Sequence, residues 1–294
     1  MQYDFSDRLK DLSGNAIREI FKLVNKPDMI SFAGGLPATQ CLPVQLINEF
    51  ADQILKSDKA YSILQYGETE GYMPLRLAII DYVKRVGINN IDLSNILIVS
   101  GGQQGIDLSF KAFINKGDYL LVENPTYLAA LHIARMYQAN IIGVDSPDDD
   151  GIDINDLEYK IKKYKPKVFY IVSNFSNPTG KTLSLEKRKQ IAHITAKYNV
   201  ITVEDDPYRE LRYSGEHLPS IKSFDEAGNV IYVSSFSKLI SPSIRVGIAI
   251  ADKNVIAKLT IGKQGTDVHT VTLSQAIAEK FLTGNYLLPH IEKS

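Results

Sequence analysis

Seven short runs of apolar, often β-branched residues constrain the fold of this chain more than any other feature. The runs are ILIVS (96–100), YLLVE (119–123), NIIGV (140–144), KVFYIVS (167–173), VITVE (200–204), VIYVSS (230–235) and VGIAIA (246–251). Most of them are continuous rather than alternating in polarity, which is typical of strands that are covered on both faces. The sequence therefore predicts a sheet whose two faces are both buried.

Helical patterns separate several of these predicted strands. Three of them are QQGIDLSFKAFI (103–114), YLAALHIARMYQ (127–138) and SLEKRKQIAHITAKY (184–198), the last with Ser184 as its N-cap. Further helical patterns cover residues 9–24, 44–56, 74–85 and 252–283. Because strands and helices alternate, we expect an α/β protein with a mainly parallel sheet.

The charge and cysteine content exclude several classes of protein. The 33 Lys and Arg residues are balanced by 34 Asp and Glu, so no basic field attracts nucleic acid or acidic lipid. Cys41 is the single cysteine, which rules out an internal disulfide and suits a reducing cytoplasm. No stretch has the length and apolarity of a membrane span, and the histidines lack metal-ligand spacing. We expect a cytoplasmic protein without a metal site.

Five of the predicted strands are followed by segments that can carry chemistry. These segments are SGGQQ (100–104), NPTY (124–127), NFSNPTG (174–180), DDPY (205–208) and SSFSK (234–238). In an open parallel sheet, ligands bind beyond the carboxyl ends of the strands. Together the residue types suggest one ligand that has a phosphate, an aromatic ring and a carbonyl that reacts with an amine.

Lys238 and Asp205 are the central residues of this hypothesis, although each has an ordinary alternative. Lys238 fits a surface ammonium at a turn, or an amine that forms a Schiff base. Asp205 fits a solvated acidic turn with Asp206, or a carboxylate that keeps a pyridine nitrogen protonated while Tyr208 donates to the ring oxygen. A lysine Schiff base with an aspartate partner is the way in which proteins hold pyridoxal phosphate.

Residues at the other predicted strand ends suit the phosphate and the ring. Gly101 and Gly102 precede a helix whose free N–H groups favour an anion, although a glycine pair also serves simply to turn a chain. Arg245 offers a bidentate guanidinium. Tyr127 presents a ring that either stacks on a heteroaromatic ligand or packs on the sheet.

With these motifs the sequence resembles the fold-type-I pyridoxal-phosphate enzymes of the class I/II aminotransferase family, closest to the branch of 2-aminoadipate and kynurenine aminotransferases and MocR-type domains. The matching segments are SFAGGLP, LQYGETEGYMPLR, SGGQQGIDL, ENPTY, NFSNPTG, VEDDPYREL, SSFSKLISPSIRVG and KQGTDVHT. The resemblance implies a three-layer α/β/α fold with a mainly parallel sheet. Residues 1–40 would form an N-terminal helix and substrate-side arm, and 41–294 the cofactor-binding large domain. The C-terminal small domain, which carries an arginine for the substrate carboxylate, is expected to be absent from this chain.

The resemblance also implies a role for each matching residue. The expected catalytic residues are Lys238, Asp205 and Tyr208. The expected cofactor-binding residues are Gly102, Gln103, Tyr127, Asn177, Asp205, Tyr208, Ser235, Ser237, Lys238, Arg245 and Tyr66. Tyr66 would reach the phosphate of a neighbouring subunit, which implies a homodimer with shared active sites.

Three residues are expected on the substrate side. Gly35 and Asn177 match positions near the substrate. Arg18 lies on the predicted N-terminal helix, which packs near the substrate entrance in this fold class. We hypothesise that it meets the distal carboxylate of a dicarboxylic amino acid, the alternative being an ordinary surface arginine.

The implied function is that of an aminotransferase. An amino group would pass from an L-amino acid to a 2-oxo acid, commonly 2-oxoglutarate, by a ping-pong mechanism through an aldimine on Lys238. Two alternatives remain open at this point: a non-catalytic pyridoxal-phosphate module or fragment of an aminotransferase or MocR-type regulator, and a pyridoxal-phosphate lyase on the same fold.

Overall fold

The centre of the protein is one seven-stranded sheet. The computed structural model describes residues 3–10, 35–147 and 149–293. The strands are β1 (Ile96–Val99), β2 (Tyr119–Asn124), β3 (Asn140–Asp145), β4 (Val168–Val172), β5 (Ile201–Asp205), β6 (Val230–Ser235) and β7 (Gly247–Ile250). Each predicted run therefore forms a strand, within a residue or so of its expected ends.

The strand order is β1-β7-β6-β5-β4-β2-β3. Neighbouring strands are parallel from β6 through β5, β4 and β2 to β3. Strand β7 runs antiparallel to both β1 and β6. The predicted mainly parallel sheet is thus confirmed. Since parallel strands end at the same edge, the segments that follow β4, β5 and β6 meet there.

Ten α-helices lie among the described residues. They are α1 (Val44–Leu55), α2 (Ala60–Leu64), α3 (Met73–Val83), α4 (Gly102–Phe113), α5 (Leu128–Met136), α6 (Ile154–Tyr164), α7 (Leu185–Lys197), α8 (Lys253–Gln264), α9 (Thr272–Thr283) and α10 (Leu287–Lys293). In this part of the chain, no helix is long and apolar enough to cross a bilayer.

Both faces of the sheet are covered by apolar side chains, as the continuous runs predict. Along β1, Leu97 and Val99 pack into a core cluster that includes residues of α4, α5 and α8. Ile96 and Ile98 point to the opposite face, into a cluster with residues of α1, α3 and α9. A third cluster, toward the β3 edge, joins residues of α6 and α7 to that second face. The result is the expected α/β/α arrangement.

The helix predictions that fall on described residues are confirmed, with two differences in their bounds. Ser184 is the N-cap of α7, and its hydroxyl accepts from the backbone N–H of Lys187. Tyr127 precedes α5 rather than belonging to it, because its backbone is extended. The predicted 252–283 region is two helices, α8 and α9, separated by the turn at 265–271. Most of the predicted 9–24 helix lies outside the described residues.

Candidate active site

A cavity of about 210 Å³ opens at the carboxyl ends of β4, β5 and β6. Its lining residues are Gly102, Gln103, Ile106, Tyr127, Val172, Asn177, Asp205, Pro207, Tyr208, Ser235, Ser237, Lys238, Pro242 and Arg245. The fold thus brings together ten residues that the sequence singles out, from segments more than 140 positions apart.

Lys238 follows β6 and is only partly exposed. Its Nζ donates a hydrogen bond of 2.6 Å to the carbonyl oxygen of Gly35, which places Gly35 beside the predicted reactive amine. Burial lowers the pKa of Lys238 below its ordinary value, because removing water disfavours the ammonium. A larger neutral fraction makes the amine a better nucleophile.

Asp205 ends β5 and is buried, and its Oδ2 accepts a hydrogen bond of 2.7 Å from the hydroxyl of Tyr170. Burial raises the pKa of Asp205 to about 7, and the charge of Asp206 adds to the increase, while the bond from Tyr170 opposes it. Asp206 instead accepts from Asn174 at 2.7 Å and from Tyr232 at 3.2 Å. Asp205 is therefore the carboxylate of the pair that lines the cavity.

Two tyrosines and an asparagine form another part of the wall. Tyr208 is hydrogen-bonded to Asn177; burial raises the pKa of Tyr208, and this bond partly opposes the rise. Tyr127 is also largely buried, and burial followed by the nearby Asp205 raises its pKa to about 12. Both phenols thus stay protonated at neutral pH and can donate hydrogen bonds.

The remaining wall is built to hold an anion. The φ of Gly101 is +86°, and a Cβ atom there would lie 2.3 Å from Nη2 of Arg245, so only glycine fits. Arg245 donates to the carbonyl oxygen of Ser100 at 2.9 Å and to the hydroxyl of Ser237 at 3.4 Å. Helix α4 begins at Gly102, so its free N–H groups and positive dipole end face the same wall.

The donor set of this cavity fits pyridoxal phosphate. Its guanidinium, serine hydroxyls and helix start suit a phosphate group. The buried carboxyl of Asp205 suits a pyridinium nitrogen, and Lys238 supplies an amine for the aldehyde. A Cβ atom at Gly102 would lie 3.5 Å from the Cβ of Ser235, an ordinary van der Waals distance, so this position also has room for a small side chain.

Three predicted site residues do not line this cavity. Gly35 contacts it only through Lys238. Tyr66 is 82% exposed, and its ring lies edge-on to His269 at 6.0 Å, so its expected contact with a neighbouring subunit stays a prediction. Arg18 lies outside the described residues.

Two residues that the sequence does not single out, Tyr170 and Glu123, hold neighbouring groups of the site in place by hydrogen bonds. Tyr170 bonds Asp205, and Glu123 accepts from the backbone N–H of Val172 at 3.1 Å and from Ser176 at 2.7 Å. Burial raises the pKa of Glu123 to about 7. Tyr170 lies inside a continuous apolar strand, where periodicity gives no sign of a polar contact. Glu123 could have been identified from the sequence, since it begins the ENPTY motif.

A larger cavity, of about 650 Å³, lies between α3 and the segment that holds the end of α9 and α10. Its wall is mostly apolar and includes Tyr82, Phe281 and Leu287. None of the predicted site residues lines it. The smaller cavity is therefore the better candidate, because it alone of the two gathers an amine, a buried carboxyl and an anion-binding wall.

Comparison with known proteins agrees with this geometry. Residues 28–287 match the family described as aminotransferase class I and II. The chain is 41% identical over 297 residues to aromatic-amino-acid aminotransferase 1 of Thermococcus litoralis, with 98% of this chain and 70% of that protein covered. It is 36% identical over 274 residues to 2-aminoadipate transaminase of Thermus thermophilus, with 92% and 67% covered.

A solved structure gives the same result. The crystal structure of Pyrococcus horikoshii kynurenine aminotransferase, in complex with PMP and with KYN and KYA as substrates and products, superposes with a TM-score of 0.92. The identity is 39%, and the match covers 98% of this chain and 72% of that one.

The chain belongs to the class I and II aminotransferase family. This confirms the predicted family, its α/β fold, the enzyme class and the pyridoxal 5′-phosphate cofactor on which the family depends. Enzymes of this class act on an amino acid and a 2-oxo acid. The chain spans about 70% of the length of the relatives named above.

Proposed function

We propose that this aminotransferase transfers the amino group of an L-amino acid to 2-oxoglutarate in two half-reactions that share one site. The observation that carries the proposal is the cavity itself, which holds the amine of Lys238, the buried carboxyl of Asp205 and the hydrogen-bonded pair Tyr208 and Asn177. When bound, pyridoxal phosphate supplies an electron-withdrawing ring that takes up the electron pair released at the substrate α-carbon.

The anion-binding wall would hold the cofactor phosphate. Arg245 provides a permanent charge, and the hydroxyls of Ser235 and Ser237 provide donors. The backbone N–H groups at Gly102 and Gln103, in the first turn of α4, add their dipoles. These groups fix the position of the phosphate and so the direction of the ring.

The other walls would orient the ring. Asp205 would hold a proton at the pyridine nitrogen, so that the ring stays electron-withdrawing. Tyr208 and Asn177 would donate hydrogen bonds to the ring hydroxyl oxygen, and Tyr127 would offer its ring for stacking. Tyr170 in turn holds the carboxyl of Asp205 by its hydrogen bond.

Lys238 would have two tasks. Its Nζ would hold the cofactor at the aldehyde carbon until the substrate amine takes its place there. The free amine of Lys238 would then accept the proton from the substrate α-carbon as a general base and return it as a general acid. The lowered pKa of Lys238 supports this role, because the base must be neutral to accept a proton.

We also propose a homodimer in which Tyr66 completes the neighbouring site. Its side chain is 82% exposed beside Tyr61 and Leu64, which are 91% and 68% exposed, so this surface carries apolar area that a second copy would cover. We place the reaction in the cytoplasm, where a chain with Cys41 as its single cysteine needs no disulfide.

The names of the relatives indicate the kind of amino donor. They act on aromatic amino acids, kynurenine and 2-aminoadipate, which are large substrates with either a ring or a second carboxylate. We therefore propose a large L-amino acid as donor. Arg18, if it lies near the substrate entrance, would favour a dicarboxylic one.

The test is a series of three absorbance spectra on the purified protein. The holoprotein is expected to absorb in the visible, to lose that band when an L-amino acid is added and to regain it when 2-oxoglutarate follows. Borohydride reduction followed by peptide mass mapping should place the pyridoxyl label on Lys238. The variant Lys238→Ala should lose both signals, whereas Lys258→Ala, on the exposed face of α8, should keep them.

Three outcomes would contradict the proposal. A label on another lysine would move the reactive amine away from this cavity. A visible band that no amino acid bleaches would indicate a cofactor sensor rather than an enzyme. Release of ammonia and a 2-oxo acid from one substrate alone would indicate a lyase.

A further inference from the structure

Lys263 is a buried cation with no role in the chemistry described so far. It lies on α8 and is 0% exposed. Its Nζ donates to Oε1 of Gln104 at 2.7 Å, to Oδ1 of Asp267 at 2.8 Å and to the hydroxyl of Thr270 at 3.0 Å. Lysine is almost never fully buried unless it is paired, because removing its charge from water costs free energy. A buried lysine outside the active site therefore suggests a specific role.

The partners of Lys263 all bond to one residue, Ser100. This residue precedes the anion-binding turn, which is formed by Gly101 and Gly102. Oε1 of Gln104 also accepts from the backbone N–H of Ser100 at 2.7 Å. Oδ2 of Asp267 accepts from the hydroxyl of Ser100 at 2.6 Å, and Thr270 lies 3.0 Å from the same hydroxyl. Since Arg245 bonds the carbonyl oxygen of Ser100, every polar group of this residue is engaged.

The charges in this group are balanced internally. Burial lowers the pKa of Lys263, and the hydrogen bond and charge of Asp267 oppose the decrease. Burial alone would raise the pKa of Asp267, but hydrogen bonds from Lys263, Ser100 and Gln104 outweigh it and hold the pKa below its usual value. The ion pair of 2.8 Å joins a fully buried ammonium to a carboxylate that is 32% exposed, so removing Asp267 leaves the charge of Lys263 buried and unpaired.

The same segment reaches a second element, the loop that carries Tyr66. Nε2 of His269 accepts from the backbone N–H of Gly67 at 3.2 Å, so Nδ1 carries the proton and donates to the carbonyl oxygen of Thr270 at 2.9 Å. That carbonyl also accepts from Gln275 at 2.6 Å, and the ring of Tyr66 lies edge-on to His269. One hydrogen-bonded chain therefore runs from the anion-binding turn to this loop.

We propose that Lys263 is a positioning residue for the cofactor phosphate. It does not touch the cavity, but it fixes the turn at Ser100 that aims the first N–H groups of α4, and through Thr270 and His269 it fixes the loop of Tyr66. The proposal rests on the proposed function, because it assumes that the phosphate of pyridoxal phosphate binds at this wall. It assigns the buried charge a single purpose, which is phosphate affinity.

The experiment compares two ligands that differ only in the phosphate. Binding of pyridoxal phosphate and of pyridoxal to the cofactor-free full chain is titrated by absorbance, for the unaltered protein, Lys263→Met and the control Lys258→Met, whose lysine is exposed on the same helix. We expect Lys263→Met to weaken pyridoxal phosphate binding by at least about tenfold, the factor set by a lost charged hydrogen bond, with pyridoxal binding unchanged. A loss of general stability would weaken both ligands together.

A second variant keeps the test decisive if Lys263→Met does not fold. Thr270→Val retains the shape of the side chain and removes the hydroxyl that joins Lys263 to Ser100, so it should weaken phosphate-dependent binding in the same sense. If the folded variants keep the unaltered preference for pyridoxal phosphate over pyridoxal, the proposed role of Lys263 is wrong, while the proposed function is unaffected. If the unaltered chain binds no pyridoxal phosphate, the proposed function fails and this proposal fails with it.

Discussion

Burial of Asp205 favours the neutral form of its carboxyl group, whereas its proposed task requires the ionised form. Burial together with Asp206 raises its pKa to about 7, so without a cofactor the group is half neutral near neutral pH. A bound pyridinium would favour the ionised form, because the opposite charge lies next to it. Binding and ionisation of Asp205 should therefore be coupled.

This coupling gives a prediction for the cofactor-free protein. The folded pKa of Asp205 exceeds the unfolded value of 3.8, so its stabilising contribution is full below about pH 4 and is lost as pH rises through about 7. Asp205→Asn has no charge to lose. Near pH 8 it should exceed the unaltered protein in free energy of unfolding by on the order of 2 to 4 kcal/mol, and near pH 4 the two should agree.

Urea unfolding at both pH values measures the difference. The control is Asp58→Asn, whose exposed carboxyl has no such burial, and its effect should be small at either pH. A constant difference between Asp205→Asn and the unaltered protein would contradict the buried, pH-dependent charge. The same variant is expected to be nearly inactive, since an amide cannot hold the ring proton.

The sequence predicts Asp205 but not the residue that supports it. Asp205 stands where a strand ends and polar residues begin, which is the position at which α/β proteins bind ligands. Tyr170 lies within a run of apolar residues that is buried on both faces, so alternation cannot reveal which neighbour its hydroxyl meets. Lys263 likewise falls in an ordinary helical pattern, and its burial depends on contacts with residues about 160 positions away.

At the scale of elements, α4 lies unusually close to the sheet. A Cβ atom on Gly105 would approach Cγ1 of Val233 in β6 to 2.8 Å, so only glycine allows this distance. The helix begins at Gly102, in the wall of the cavity. The close packing of α4 on β6 therefore sets where its first N–H groups point.

We expect Gly105→Ala to disturb both stability and cofactor binding. The added methyl group overpacks the contact with Val233, at a cost of about 1–3 kcal/mol in the free energy of unfolding. Tilting of α4 away from β6 should also weaken pyridoxal phosphate binding. Thermal unfolding and the absorbance titration measure the two effects.

A matched pair of variants separates packing from helix propensity. Gly265→Ala adds the same methyl group at the end of α8, where the nearest atom would be 3.7 Å away, and should be close to neutral. Val233→Ala combined with Gly105→Ala removes the clashing atoms and should restore part of the cofactor affinity. Failure of the double variant to recover any affinity would show that the approach of α4 to β6 is not the cause.

The elements themselves were the more predictable part of the fold. Continuous apolar runs and the N-cap at Ser184 depend on neighbouring residues, so sequence alone locates them. The break between α8 and α9 was not predicted, although Gly265 and the Thr, Asp, Val and His residues that follow it have low helix propensity. Propensity alone does not fix the conformation of this turn. Its structure depends instead on tertiary bonds, such as those from the hydroxyl of Ser100 to Asp267 and from the backbone N–H of Gly67 to His269.

At the scale of the whole molecule, the proposed homodimer would complete each active site with a residue from the second copy of the chain. Tyr66 is the expected phosphate ligand that does not line its own cavity. Its ring lies edge-on to His269, and Val271, two residues further along the chain, is 61% exposed. A closed two-fold dimer would bury this surface on both copies and would exchange one tyrosine in each direction.

Subunit mixing tests this exchange directly. Lys238→Ala lacks the reactive amine, and Tyr66→Phe lacks one phosphate donor and should be mostly empty at low pyridoxal phosphate concentration. If Tyr66 acts on the partner, a mixed dimer holds one site with both residues intact, so about half of the unaltered activity should return. If Tyr66 acts within its own chain, neither site of the mixed dimer is intact and no activity returns. The experiment uses differently tagged subunits that are refolded together and assayed at limiting cofactor. A mixture of Lys238→Ala with the unaltered chain is the reference for a dimer with one intact site.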